Sequence, residues 1–217
     1  MRTYVSPIGY NSTSVVRPVF SRGLDSGDRV VLLRPNEESD EKRATNAIED
    51  VSRLFGEIEP DVTLSTERIT YDEYPTAVLE CSTIIRSSEG DVIVNLGGGA
   101  RDLLVPLTTA ALVHAELISE TLGFSDIDGS VRNVELPVVT SSVSDKVYPT
   151  LVEIATHPDS VSVPNLTDEL DRSKSSITRH VSVLEEAGLV RSEKHGRTKI
   201  VELTFTGELH LRTRDDR

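Results

Sequence analysis

The chain has 217 residues with 23 basic and 36 acidic side chains, a formal net charge of −13, 4% aromatic residues and a single cysteine. That length accommodates one large domain or two small ones, and one cysteine excludes an internal disulfide. No apolar run approaches the roughly 18 residues of a membrane span, and residues 1–7 lack the apolar region of a secretion signal, so a soluble cytoplasmic chain without a membrane partner is expected.

The acidity is uneven. Residues 1–140 hold 12 basic against 23 acidic side chains, net −11, whereas residues 141–217 hold 11 against 13, net −2. Within residues 172–199 the balance reverses to +4. Only five basic residues are lysine. An acidic, lysine-poor surface suits a protein kept soluble in molar salt, so a halophilic source is expected.

The first 136 residues read as alternating strands and helices. Residues 3–8 form a strand candidate ending at Gly9, and Asn11-Ser12-Thr13-Ser14 can cap a short helix. Residues 28–34 contain Val30-Val31-Leu32-Leu33, a run suited to a strand buried on both faces. Helical spacing follows over 39–56, a strand over 62–68, a helix over 71–88 with Cys81 as a small core residue, and a strand over 91–96. From Arg101 apolar residues recur in helical fashion through Leu122, and 131–136 is the last strand candidate.

This alternation predicts an α/β fold with a Rossmann-like, doubly wound parallel sheet. In such sheets ligands bind beyond the carboxyl ends of the strands where strand order reverses, here between the first and fourth strands. Two loops meet there. One contains Gly9, Ser12 and Thr13; the other is Asn95-Leu96-Gly97-Gly98-Gly99-Ala100-Arg101. Adjacent glycines allow close backbone approach, and amides opening the next helix attract an anion. Gly9, Ser12, Thr13, Asn95, Gly97, Gly98, Gly99, Ala100 and Arg101 are therefore the candidate ligand contacts; a tight turn without a ligand and simple helix caps are the plain alternatives. Neither G-x-G-x-x-G nor a Walker loop is present, which counts against a dehydrogenase or an NTPase.

Residues 137–142, with a proline and small hydroxyl residues, mark a linker between a 1–136 domain and a 143–217 domain. After it come a helix ending before Pro158, a short helix after Pro164 and a third helix from Ser173 to Ala187 stopped by Gly188. A basic hairpin over residues 189–205 and a last short helix over 206–212 follow. Three helices and a hairpin predict a winged helix-turn-helix. Ile177, Val181 and Leu184 face its core, leaving Arg172 in the turn before the third helix, Lys174, Ser175, Ser176, Thr178, Arg179 and Ser182 on it, and Lys194, Arg197 and Lys199 on the hairpin, as candidate contacts to double-stranded DNA. No His/Cys/Asp/Glu cluster has metal-ligand spacing; the five histidines, His157 and His180 among them, read as isolated, and no catalytic residue or required cofactor is assigned.

The run Leu166-Thr167-Asp168-Glu169-Leu170, Ser173 to His180, and Leu184-Glu185-Glu186-Ala187-Gly188-Leu189-Val190 resembles winged-helix regulators of the MarR and ArsR kind. With the glycine-rich loop in an α/β domain, the whole chain resembles CRISPR-associated Rossmann-fold (CARF) regulators ending in a winged helix. Their Asn-x-x-Gly-Gly-Thr-Lys/Arg motif is matched by Asn95, Gly97, Gly98 and Arg101, while Gly99 and Ala100 blur the register and the threonine is missing. The resemblance implies a homodimer that binds a cyclic oligoadenylate, typically the tetra-adenylate, across its two-fold axis, and a palindromic operator through its winged helices. Some members also cleave that ligand. A cyclic-oligoadenylate-degrading enzyme with an accessory winged helix is the alternative.

Overall fold

A computed structural model describes residues 1–37, 40–196 and 198–213. The chain divides into two compact units, Met1–Leu136 and Pro137–Arg217. Ser39, expected to open the second helix, and Arg197 lie outside the described residues.

In the first unit, strands β1 (Arg2–Pro7), β2 (Arg29–Pro35), β3 (Thr63–Ile69), β4 (Asp91–Asn95), β5 (Ile118–Phe124) and β6 (Val131–Asn133) form one sheet in the order β3-β2-β1-β4-β5-β6. All neighbours are parallel except β5 and β6. The apolar runs alternate between two faces. Tyr4, Val30, Leu32 and Ile93 pack under helices α1 (Thr13–Arg22) and α2 (Glu41–Ile58). Val5, Leu33, Val92 and Val94 pack under α3 (Tyr74–Ser87) and α4 (Arg101–Val113), where Cys81 is wholly buried and burial pushes its thiol up to about 12. Two covered faces explain why these strands read as continuous apolar runs. Asp40 caps α2 by accepting from the Arg43 amide.

One expectation is corrected. The helical pattern from Arg101 to Leu122 conceals a strand: α4 stops at Val113, a 3-10 turn covers Ala115–Leu117, and β5 begins at Ile118. The register against β4 jumps from Val92–Ile118 to Ile93–Glu120, so Ser119 is an extra, bulged residue. Ile118 and Leu122 consequently pack on opposite faces of the sheet despite their even spacing. The bulge erases the two-residue period by which the strand would be read. The sheet is thus parallel over five strands, with an antiparallel edge.

The second unit holds α5 (Tyr148–Ala155), β7 (Val161–Ser162), α6 (Val163–Glu169), α7 (Lys174–Glu186), β8 (Val190–His195), β9 (Thr198–Leu203) and α8 (Phe205–Arg212), with sheet order β7-β9-β8. Leu151, Ile154, Leu166, Ile177, Val181, Leu184, Leu189 and Val201 form its core. Hydroxyl caps start three helices: Ser162 accepts from Asn165 N, Ser173 from Ser176 N and Thr204 from Gly207 N. Gly188 at φ +68 ends α7 as a left-handed cap. Residues 137–142, expected as a linker, are bonded into this unit: Val138 N donates to Thr206 Oγ1 at 3.2 Å and Ser141 Oγ to Ala187 O at 2.5 Å. Among the described residues no helix is long and apolar enough to cross a membrane.

Candidate functional site

The loop between β4 and α4 is built on Asn95, which is buried at 3% exposure and does not face solvent. Its Nδ2 donates to Ser6 Oγ (2.8 Å), Ser14 O (2.8 Å) and Gly97 O (3.1 Å), and its Oδ1 accepts from Gly97 N (3.0 Å). The bond to Ser14 O has a specific cause. Pro18 stands four residues further along α1 and has no N–H to offer that carbonyl, so the Asn95 amide replaces it. Asn95 thereby fastens the loop to β1 and α1. It is a positioning residue rather than a surface contact.

Each glycine of the loop meets a different neighbour. A Cβ on Gly97 would fall 2.4 Å from Phe124 N at the end of β5. Gly98 and Gly99 adopt φ of +81° and +74°, and side chains there would run into Ser14 and Pro7. The backbone so formed leaves the amides of Gly98, Gly99 and Ala100 without an acceptor among the described residues, just ahead of α4, where the helix's partial positive charge adds to them. Arg101 is exposed and forms no ion pair among the described residues.

Of these groups Gly99 and Ala100 line a crevice of about 350 Å³, together with Ile8, Gly9, Tyr10, Pro35, Glu37, Tyr71 and Asp102, whereas Asn95, Gly97, Gly98 and Arg101 are not part of its lining. It opens beyond the ends of β1, β2 and β4, at the reversal of strand order. Gly9 approaches Gly99, an ideal Cβ on the former lying 3.4 Å from the Gly99 Cα. Ser12 and Thr13 open α1 with partly exposed hydroxyls; the turn is held instead by Asn11, whose Oδ1 accepts from Thr13 N at 2.9 Å. Neither lines the crevice.

Sequence reasoning missed Tyr10, Tyr71 and Arg43. Both tyrosines are exposed at 42% and 37%, and the Arg43 guanidinium lies 4.6 Å from the Tyr10 ring centre. The available signal was scarcity: two of only five tyrosines fall where strand-to-helix loops converge.

In the second unit, Arg172, Lys174, Ser175, Thr178 and Arg179 are exposed at the start of α7, whereas Ser176 and Ser182 are half-buried. The Ser173 hydroxyl bonds those of Ser175 and Ser176, and Thr178 and Ser182 donate back to Lys174 O and Thr178 O. None of Arg172, Lys174, Arg179 and Lys194 is in an ion pair among the described residues. Lys199 differs. Its Nζ lies 2.6 Å from Glu185 Oε2, and both side chains are about two-thirds covered. Burial opposes ionisation of Glu185, but hydrogen bonds from Lys199 and Ser192 outweigh it and hold the carboxyl below its ordinary value. Lys199 thus braces the wing against α7 instead of projecting from it.

His180 is buried, its Nδ1 2.7 Å from Thr150 Oγ1. Burial lowers its pKa, and the charges of Arg172, Lys146 and Arg179 lower it further. Lys146, exposed just before α5, therefore belongs to the same cationic surface; the sequence pattern of α7 alone gave no sign of it.

Against known families, the Csa3 CRISPR-associated Rossmann-like domain matches residues 2–120, more than half of the chain. The chain belongs to that family. The MarR family matches residues 141–198 of this Csa3-type chain. It is 33% identical over 91 residues, covering 42% of its own length and 76% of the other, to a Halobacterium salinarum protein named as an arsenical resistance operon repressor, ArsR2. Similar solved structures include reduced AbfR bound to DNA (22% identity, TM-score 0.31, 33% of this chain and 52% of that one). Another is Enterococcus italicus Csm6 bound to cyclic hexa-2'-fluoro-hexa-dAMP (10% identity, TM-score 0.47, 87% of this chain and 49% of that one). The chain spans about half the length of each of these two. The Csa3-type chain is accordingly a DNA-binding transcription regulator of the MarR/ArsR kind with a CARF-like domain.

Proposed function

We propose that the protein is a ligand-responsive regulator whose Rossmann-like domain senses a cyclic oligoadenylate and whose winged helix reads double-stranded DNA. One observation carries the reading: the amides of Gly99 and Ala100, which have no acceptor among the described residues, line a crevice walled by Tyr10 and Tyr71, on the same chain as a MarR-type winged helix. Unpaired amides at a helix start suit a phosphodiester, and tyrosine faces suit adenine. Glu37 and Asp102 also line the crevice and oppose an anion, so the cations Arg101 and Arg43 are needed beside it.

The working unit is a homodimer. Between Asp102 and His114, α4 carries no charged residue, and its half-buried to exposed stripe of Leu104, Val105, Leu112 and Val113 suits a second copy in a chain otherwise rich in charge. Two winged helices then address a palindromic operator through Arg172, Lys174, Ser175, Thr178, Arg179 and Lys194. The halophilic setting favours direct base contacts, because about 1 M salt shortens the Debye length to roughly 3 Å.

Fluorescence anisotropy of an operator fragment, titrated with and without cyclic tetra-adenylate, tests the reading. Binding at the two sites must change reciprocally. Unchanged DNA affinity at saturating ligand, together with no ligand binding by calorimetry, would remove the sensory half.

A further inference from the structure

We propose that the winged-helix unit holds a zinc-class divalent cation between the ends of α5 and α6, ligated by Glu153, His157 and Glu169. One ligand atom from each of these residues falls within 4.8 Å of the other two. His157 Nε2 lies 3.1 Å from Glu169 Oε2. Two ligands bound at about 2.0–2.1 Å in a tetrahedron are separated by roughly 3.3 Å, so this pair already stands at the spacing that a shared zinc requires.

The electrostatics point the same way. Glu153 lies in the last turn of α5, and Glu169 is the final residue of α6. A helix's C-terminal end carries partial negative charge and disfavours carboxylates. Neither helix has a basic residue in its last turn. Among the described residues Glu153 receives only the Thr156 hydroxyl, and Glu169 only the His157 ring. Two carboxylates at two negative helix ends thus stand beside one imidazole, which bonds Glu169 and leaves Glu153 within 4.8 Å, an arrangement that a divalent cation neutralises.

The donor set selects the metal. One imidazole nitrogen and two carboxylate oxygens, with water in the fourth place, suit zinc or cobalt; magnesium and calcium take more oxygens and no imidazole. Glu153 and His157 are four residues apart and Glu169 follows twelve later, so the bound ion clasps α6 to α5. The clasp sits just before Asp171, which turns the chain with φ +45° into the Ser173 cap of α7. Occupancy therefore stiffens the approach to the helix that presents Arg172, Lys174 and Arg179.

The test uses the full chain, stripped with chelator. Cobalt(II) should give the visible absorption of a four-coordinate site with one equivalent bound, displaced by zinc. Zinc titrated by calorimetry should bind with the same stoichiometry, and its affinity should fall at least about tenfold in both His157→Ala and Glu169→Gln. His157 is half-buried and Glu169 exposed, both lie outside the core, and circular dichroism of each variant establishes that the fold is kept. Absence of a saturable cobalt spectrum in the wild type overturns the proposal, as does zinc affinity unchanged in the two variants. Loss of thermal stability in His157→Ala without any zinc effect assigns the pair to a plain ion pair and overturns it too.

Discussion

Asn95→Ala separates a positioning role from a ligand contact, since that side chain makes four hydrogen bonds within its own domain. Truncation strips the buried Gly97 N–H of its acceptor, and it strips Ser14 O of the donor that stands in, among the described residues, for the missing N–H of Pro18. Each orphaned buried group costs about 1–3 kcal/mol, so a loss of roughly 2–6 kcal/mol in unfolding free energy is expected. Urea denaturation without ligand measures it. Pro18→Ala supplies a helical N–H for Ser14 O, so in a double-mutant cycle the Asn95→Ala penalty should shrink in the Pro18→Ala background by about 1 kcal/mol. Asn95→Asp keeps the acceptor for Gly97 N but turns a carboxylate toward two carbonyls, and should be more damaging at pH 7 than at pH 4. A penalty below about 0.5 kcal/mol, or strict additivity in the cycle, would refute the reasoning.

Protonation of His180 favours unfolding, because burial and three neighbouring cations depress its folded pKa below that of the free side chain. The unfolded chain then binds the extra proton first, so the stability of the winged helix is complete above about pH 6.5 and falls as pH drops through the window beneath it; a pH-independent melting profile of that unit would contradict this. Arg179→Ala should weaken operator binding by about 1–3 kcal/mol and relax sequence preference, whereas Lys194→Ala should weaken all sequences alike and reduce the salt slope by about one. Lys199→Ala should leave that slope unchanged and lower stability instead, which anisotropy across a salt series and thermal melting distinguish. Tyr71→Ala, at an exposed ring, should reduce affinity for the oligoadenylate by about 1–3 kcal/mol while leaving the melting midpoint in place; Tyr10→Ala should reduce affinity by a similar amount and also lose the Arg43 contact, about 0.5–1 kcal/mol of stability. Asp28→Asn should cost about 3–5 kcal/mol, since its buried carboxylate takes the Arg2 guanidinium and the amides of Arg2 and Asp25.

Patterns confined to one element were readable from sequence. The Val30–Leu33 run and the Ile177, Val181, Leu184 spacing each report a local periodicity imposed by a single buried face, and both fall where expected. The glycine-rich loop was equally plain, because a strand and a helix had to be joined by residues without Cβ atoms. What escaped depends on partners distant in the chain. The Ser119 bulge exists only against β4, the buried role of Asn95 exists because Pro18 sits 77 residues earlier, and the Lys199–Glu185 pair withdraws a basic residue from a hairpin that looks uniformly cationic. His157 carried a faint signal in its four-residue spacing from Glu153, but Glu169 completes the group only through the packing of α6 on α5.

The anchoring of Val138 and Ser141 bears on how the protein can be dissected. A fragment starting at residue 143 would cut away the amide that engages Thr206 and the hydroxyl that engages Ala187 O, uncapping the end of α7. One starting at residue 137 keeps both. The two fragments differ by six residues, so their difference in melting temperature would report directly how much of the reader's stability is stored in a segment whose composition suggests a mere tether.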